Sequence, residues 1–208
     1  MGTDTARAHD HLGVSVRTPL ADRSFGTTLW RVERWDADQT RWVKTRTGLA
    51  APTGADFRQL GVESYETSEV LGNLITNAGW TRLMNLLTNQ GATQALDATH
   101  VRIGVGNGST AEAYTDTDLA AAAGASNRYF QPVSGAGSLG TRTLTFSATF
   151  GTADGNHAWN EFGLDVTSGT AAGGTTVGAL LFNRKAGIAQ GTKASGQTWT
   201  ASAVVTFS

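Results

Sequence analysis

From residue 101 onward the chain alternates apolar and polar positions in short runs. Val101, Ile103 and Val105 form one run. Leu144, Phe146, Ala148 and Phe150 form another, and Phe162, Leu164 and Val166 a third. Trp199, Ala201, Ala203, Val205 and Phe207 make the last. A period of two places each set on one face of a strand. "RYFQPV" and the continuously apolar "VGALLFNRK" add two more runs, about six strands at the spacing of a sandwich. Only "NLITNAGWTRLMNLLTN", 73–89, carries a helical stripe, through Ile75, Ala78, Leu83, Leu86 and Leu87 with Trp80 beside it. Asn73 is placed to cap its start and Gly91 to end it. "DTDLAAAAG", 116–124, supports at most a short helix.

The first third follows a different pattern. Residues 1–26 have few large apolar side chains and no period, which predicts an extended arm. "TTLWRVERWDADQTRWVKTRT", 27–47, places two β-type runs around a polar "DADQ" and predicts a β-hairpin. In it Trp30 and Val32 share a face with Trp42 in reach, and Arg31, Glu33, Arg41 and Lys44 can pair across strands. Residues 48–70 read as linker. The prediction is mainly β: an antiparallel β-sandwich, jelly-roll or Ig-like, with one helix, over 71–208. An arm and hairpin over 1–70 precede it as an anchoring region.

Charge supports that division. Residues 1–70 hold nine Lys and Arg and ten Asp and Glu, whereas 71–208, twice as long, hold seven of each. The net charge of −1 gives no whole-protein attraction to nucleic acid or an anionic membrane, so neither is expected as a partner. The absence of cysteine excludes disulfides and thiolate chemistry. No apolar run approaches the length of a membrane span, and the N-terminus lacks the apolar stretch of a secretory signal. Glycine at 26 residues against 3 prolines fits a turn-rich β protein.

The candidate chemistry is sparse. "IGVGNGSTA", 103–111, satisfies G-x-G-x-x-A, but "EAYTDTDL" after it carries no apolar stripe and no acid lies about 20 residues on. No G-K-[ST] occurs either. The glycines are therefore expected to serve a turn with positive φ at Asn107-Gly108. His9-Asp10-His11 lacks a third ligand nearby. Asp116 and Asp118 lack the spacing of a calcium loop and read as caps. Glu161 and Asp165 share a strand face and, with His157, read as one exposed polar edge. His100 opens a strand. Trp80, Trp159 and Trp199 sit where core or interface anchors belong. Arg184-Lys185 is too small a basic cluster for nucleic acid. No catalytic residue, cofactor or metal is predicted.

Four stretches, taken in order, resemble a family of small β-rich virion proteins of tailed bacteriophages. They are "GNLITNAGWTRLMNLL", "VRIGVGNGSTAEAYTDTDLAA", "FSATFGTADGNHAWNEFGLDV" and "LFNRKAGIAQGTKASGQTWTASAVVTFS", spanning about residues 70–208. "WNEFG", then "LFNRK", then "GTKASGQTW" is the most specific part. The resemblance implies a non-enzymatic structural role in the virion, with assembly in the host cytoplasm. A capsid decoration or cement protein is expected. A tail, collar or tail-tip component, or a glycan-binding adsorption module, is the alternative. The expected partners are the major capsid protein or other virion proteins, and other copies of the chain in a homo-oligomer such as a trimer. Trp30, Arg31, Trp35, Arg41 and Trp42 are the expected contact residues.

Overall fold

The computed structural model describes residues 26–91, 94–135 and 137–207. The expected arm therefore lies outside the described residues, except for its last position, Gly26. Two five-stranded antiparallel sheets pack face to face. The first has the order β2 (Glu66–Leu71), β1 (Gly26–Trp35), β10 (Thr198–Phe207), β7 (Thr143–Phe150), β6 (Ser138–Gly140). The second runs β3 (Leu74–Ile75), β9 (Leu180–Ala186), β8 (Glu161–Val166), β4 (Val101–Gly106), β5 (Arg128–Pro132). The β-sandwich and the strands read from residue 101 onward are all present.

Between the sheets lies an aromatic core. Trp30 stacks on Phe162 at 4.9 Å, and Trp159 meets Trp199 edge-on at the same distance. Phe150 packs against Trp159 at 4.8 Å. The alternating residues of β4, β7, β8 and β10 fill much of the remainder, as their period requires. One register shift interrupts the β8–β9 ladder at Leu164/Asp165. There the Asn183 side chain accepts the Leu164 N–H at 3.0 Å, satisfying a buried donor.

The hairpin expected at 27–47 is corrected. Its first half is β1, an interior strand bonded to both β10 and β2. Its second half is helix α1 (Ala37–Thr47). Asp36 accepts the Gln39 N–H at 2.8 Å, and the Gln39 side chain accepts the Asp36 N–H at 3.0 Å. This reciprocal pair starts a helix where "DADQ" suggested a turn. The stretch 48–70 holds α2 (Gly54–Gln59) and most of β2 rather than a plain linker. Trp35, Val43 and Phe57 form a second small core with these helices.

Helix α3 (Asn77–Thr88) is present where the long helix was expected, but it starts and ends elsewhere. Ile75 belongs to β3, and the buried residues of α3 are Gly79 and Arg82, while Leu86 and Leu87 of the expected stripe are exposed. Thr76, not Asn73, is the N-cap, accepting the Gly79 N–H at 3.0 Å and donating to the Leu181 carbonyl at 2.6 Å. Asn89, left-handed at φ 52°, closes it in place of Gly91. A Cβ on Gly79 would lie 2.1 Å from the Phe182 carbonyl oxygen, so this glycine lets α3 settle on β9. The stretch 116–124 is irregular. No helix among the described residues is long and apolar enough to cross a membrane.

Candidate interaction surface

The outward face of the second sheet carries the chain's chemistry, and it is covered. The register sets Gly106 opposite Glu161, Gly104 opposite Gly163 and Arg102 opposite Asp165. Glu161 is fully buried. It accepts the Ala121 N–H at 2.7 Å, the Ala120 N–H at 2.9 Å and the Arg184 Nε–H at 2.7 Å. Arg184 continues to Asp116 at 2.8 Å and to the Thr110 carbonyl at 2.7 Å. A Cβ on Gly106 would stand 2.6 Å from Glu161 Oε1, and one on Gly108 only 2.5 Å from it.

The glycine loop is thus neither of the structures considered from sequence. Gly104, Gly106 and Gly108 are absent from the positive-φ glycines, so no left-handed turn explains them. Gly106 and Gly108 keep side-chain volume away from the Glu161 carboxylate and from Ala120 and Ala121 folded over it, and Gly104 leaves room for the Phe130 ring and Leu119. The exposed polar edge expected at Glu161 and Asp165 is corrected in the same way, since both are 0% exposed. Asp165 receives Arg102 through two bonds of 2.9 Å and the Gly178 N–H. Asp118 pairs with Arg128 at 2.8 Å. Phe130 lies against both guanidinium groups, 4.9 Å from Arg102 and 5.8 Å from Arg128. Asp116 and Asp118 therefore act as tie points for the 107–127 connection rather than as helix caps. An ion pair at this depth is strongly coupled to its fold, because either partner alone would be an uncompensated buried charge.

His157 and Lys193 are among the titratable groups buried outside this layer. His157 holds the Ala158 carbonyl through Nδ1 at 2.9 Å, and burial lowers its pKa. The Lys193 ammonium donates to the Gly151 carbonyl and Asn156 Oδ1, both at 2.7 Å, and burial brings it down to about 8. Among the described residues no group of three or more His, Asp or Glu could hold a metal ion. His9, Asp10 and His11 lie outside the described residues. His100 precedes β4 and is held by Asp97 at 2.8 Å.

The five expected contact residues separate into two sets. Trp30 and Trp35 are core residues, 1% and 0% exposed, the second stacked on Phe57 at 4.5 Å. They are corrected from surface to interior. Arg31, Arg41 and Trp42 reach the surface. Arg31 sits near Glu33 and Glu69, Arg41 pairs with Asp38 at 2.6 Å, and Trp42 is 50% exposed. Trp42 lies on a helix and not across a strand pair from Trp30.

The surface feature that sequence reasoning missed is at the α3 end of the sandwich. Leu83, Met84 and Leu87 of α3 line an apolar groove of about 410 Å³ with Leu96, Leu144 and Phe207. Leu87 is 76% exposed. Leu139, opposite Leu144 in the β6–β7 register, is 81% exposed and extends the apolar rim. The signal was present in "LMNLL", where successive apolar residues cover more of the helix than one buried stripe needs.

No protein family, no curated protein and no solved structure matches this chain.

Proposed function

We propose that this chain is a non-enzymatic structural protein of a tailed-bacteriophage virion, a decoration or cement protein on the capsid exterior. The observation that carries the reading is the use made of the resemblance's own motif residues. In "WNEFG", Trp159 is core and Glu161 anchors the buried ionic layer. In "LFNRK", Asn183 repairs the ladder, Arg184 binds Glu161, and Lys185 pairs with Glu112 at 3.1 Å. In "GTKASGQTW", Lys193 ties two connections together and Trp199 is core. These residues build a closed scaffold, and their acids and bases are engaged in holding it. A structural role accounts for that arrangement with no further assumption. Attachment is assigned to the N-terminal residues 1–25, with Arg31, Arg41 and Trp42 as exposed neighbours in the chain.

The test is location and stoichiometry in purified particles, by quantitative mass spectrometry and labelling. Copies near the number of the major capsid protein fit decoration. A few to a dozen copies would move the assignment to tail, collar or tail tip. Absence from the particle would overturn it. A chain beginning at Gly26 is expected to fold but not to join the particle.

A further inference from the structure

The groove at the α3 end is apolar, open, and placed beside the point where the chain enters the described fold. We propose that it is the docking site of the chain's own N-terminal segment, residues 12–20, held there intramolecularly. Three observations converge on this occupant. The first is location. Gly26 pairs with Phe207 in the β1–β10 register, and Phe207 is a wall of the groove. The chain preceding Gly26 therefore leaves the sheet at the groove's mouth. The second is reach. Residues 21–25 span at most about 17 Å when extended, so Leu20 is held near Gly26 and residues 12–20 have the length to lie along the groove.

The third is chemistry. "HLGVSVRTPL", 11–20, places Leu12, Val14 and Val16 at alternate positions and adds Leu20, a local alternation that corrects the reading of 1–26 as wholly without period. In an extended segment these first three face one way, as an apolar groove requires. Meanwhile Leu87 at 76%, Leu139 at 81% and Met84 at 43% exposure leave a contiguous apolar rim. Patches of this kind mark a surface that something covers. The segment is always present at high effective concentration, being tethered a few residues away. The inference concerns the free protein and does not rest on the virion reading.

The chain has no cysteine, so Leu87→Cys introduces a single reporter thiol at a position with little burial to lose. Its maleimide labelling rate is measured in three otherwise identical proteins: the full chain, a chain lacking residues 2–21, and a full chain carrying Leu12→Asp, Val14→Asp and Val16→Asp. Circular dichroism confirms that each is folded. Labelling of the full chain is expected to be about tenfold slower or more, since thiol reactivity follows exposure, with both alterations restoring the fast rate. The protection is expected to be independent of protein concentration. Equal rates in all three proteins would overturn the proposal. So would protection that vanishes on dilution, which would assign the groove to a second copy.

Discussion

Gly108 shows how much a single missing methyl group holds in place. An alanine there would put its Cβ 2.5 Å from Glu161 Oε1 and 2.6 Å from the Ala121 nitrogen. Neither atom is free to move. The carboxylate is fixed by three donors, and the Ala121 N–H is one of them. Gly108→Ala is therefore expected to destabilise the protein by about 3 kcal/mol in urea unfolding, through overpacking against a buried ion pair. Gly135 is the comparison. It has φ +80° but nothing within 4 Å of a Cβ, so Gly135→Ala carries only the backbone cost of about 1 kcal/mol. An unfolding midpoint for Gly108→Ala equal to that of the parent would show that the loop over Glu161 has slack. A turn glycine and a close-approach glycine look alike in sequence. What separates them here is Glu161, more than fifty positions away along the chain.

At the level of elements, Lys193 is the post between two connections. Its ammonium binds the Gly151 carbonyl and Asn156 in the β7–β8 connection, while its own backbone N–H bonds the His157 carbonyl at 3.1 Å. Burial lowers its pKa from 10.5 to about 8. Between those values the unfolded chain keeps a proton that the folded chain has released. Stability therefore rises with pH across the window, is complete above 10.5, and is lost as pH falls through 8. The shift corresponds to about 3 kcal/mol. The difference in stability between the parent and Lys193→Met, measured from pH 7.5 to 10.5, is expected to grow by about that amount. A pH-independent difference would mean that the ammonium is hydrated in the fold. Period-two runs made the strands from residue 101 onward legible, because each strand has one face in the aromatic core. The first third was not legible in the same way. "DADQ" is polar, which suits a turn, yet the Asp36 and Gln39 pairing makes it a helix start. The buried ionic layer was hidden because charged residues on a strand ordinarily face water, and the cover that reverses this is an irregular connection with no period of its own. The groove was hidden because a helix stripe predicts burial without naming its partner.

For the whole molecule, the position of β1 sets what can be removed. It lies between β2 and β10, and Trp30 and Val32 stand in the main core. A fragment of residues 71–208 would lose a central strand and expose that core. It is expected to be unfolded or aggregated, whereas 26–208 is expected to show a cooperative thermal transition. A cooperative, monomeric 71–208 fragment would show that the second sheet with β10, β7 and β6 suffices alone. The same neighbourhood fixes the order of events in synthesis. The strand that emerges earliest among those described is completed by the one that emerges last. Until β10 emerges, β1 can pair only with β2 and keeps one edge open, and Trp30 waits for Phe162 to stack on. The first sheet cannot close until Phe207 has cleared the exit tunnel. Non-local pairing of this kind slows folding, and the waiting strand is the segment through which crowded nascent chains would join one another. Lower temperature and less frequent initiation, which keep nascent chains apart, should therefore raise the soluble yield by protecting one strand, long before the finished sandwich has any need of protection.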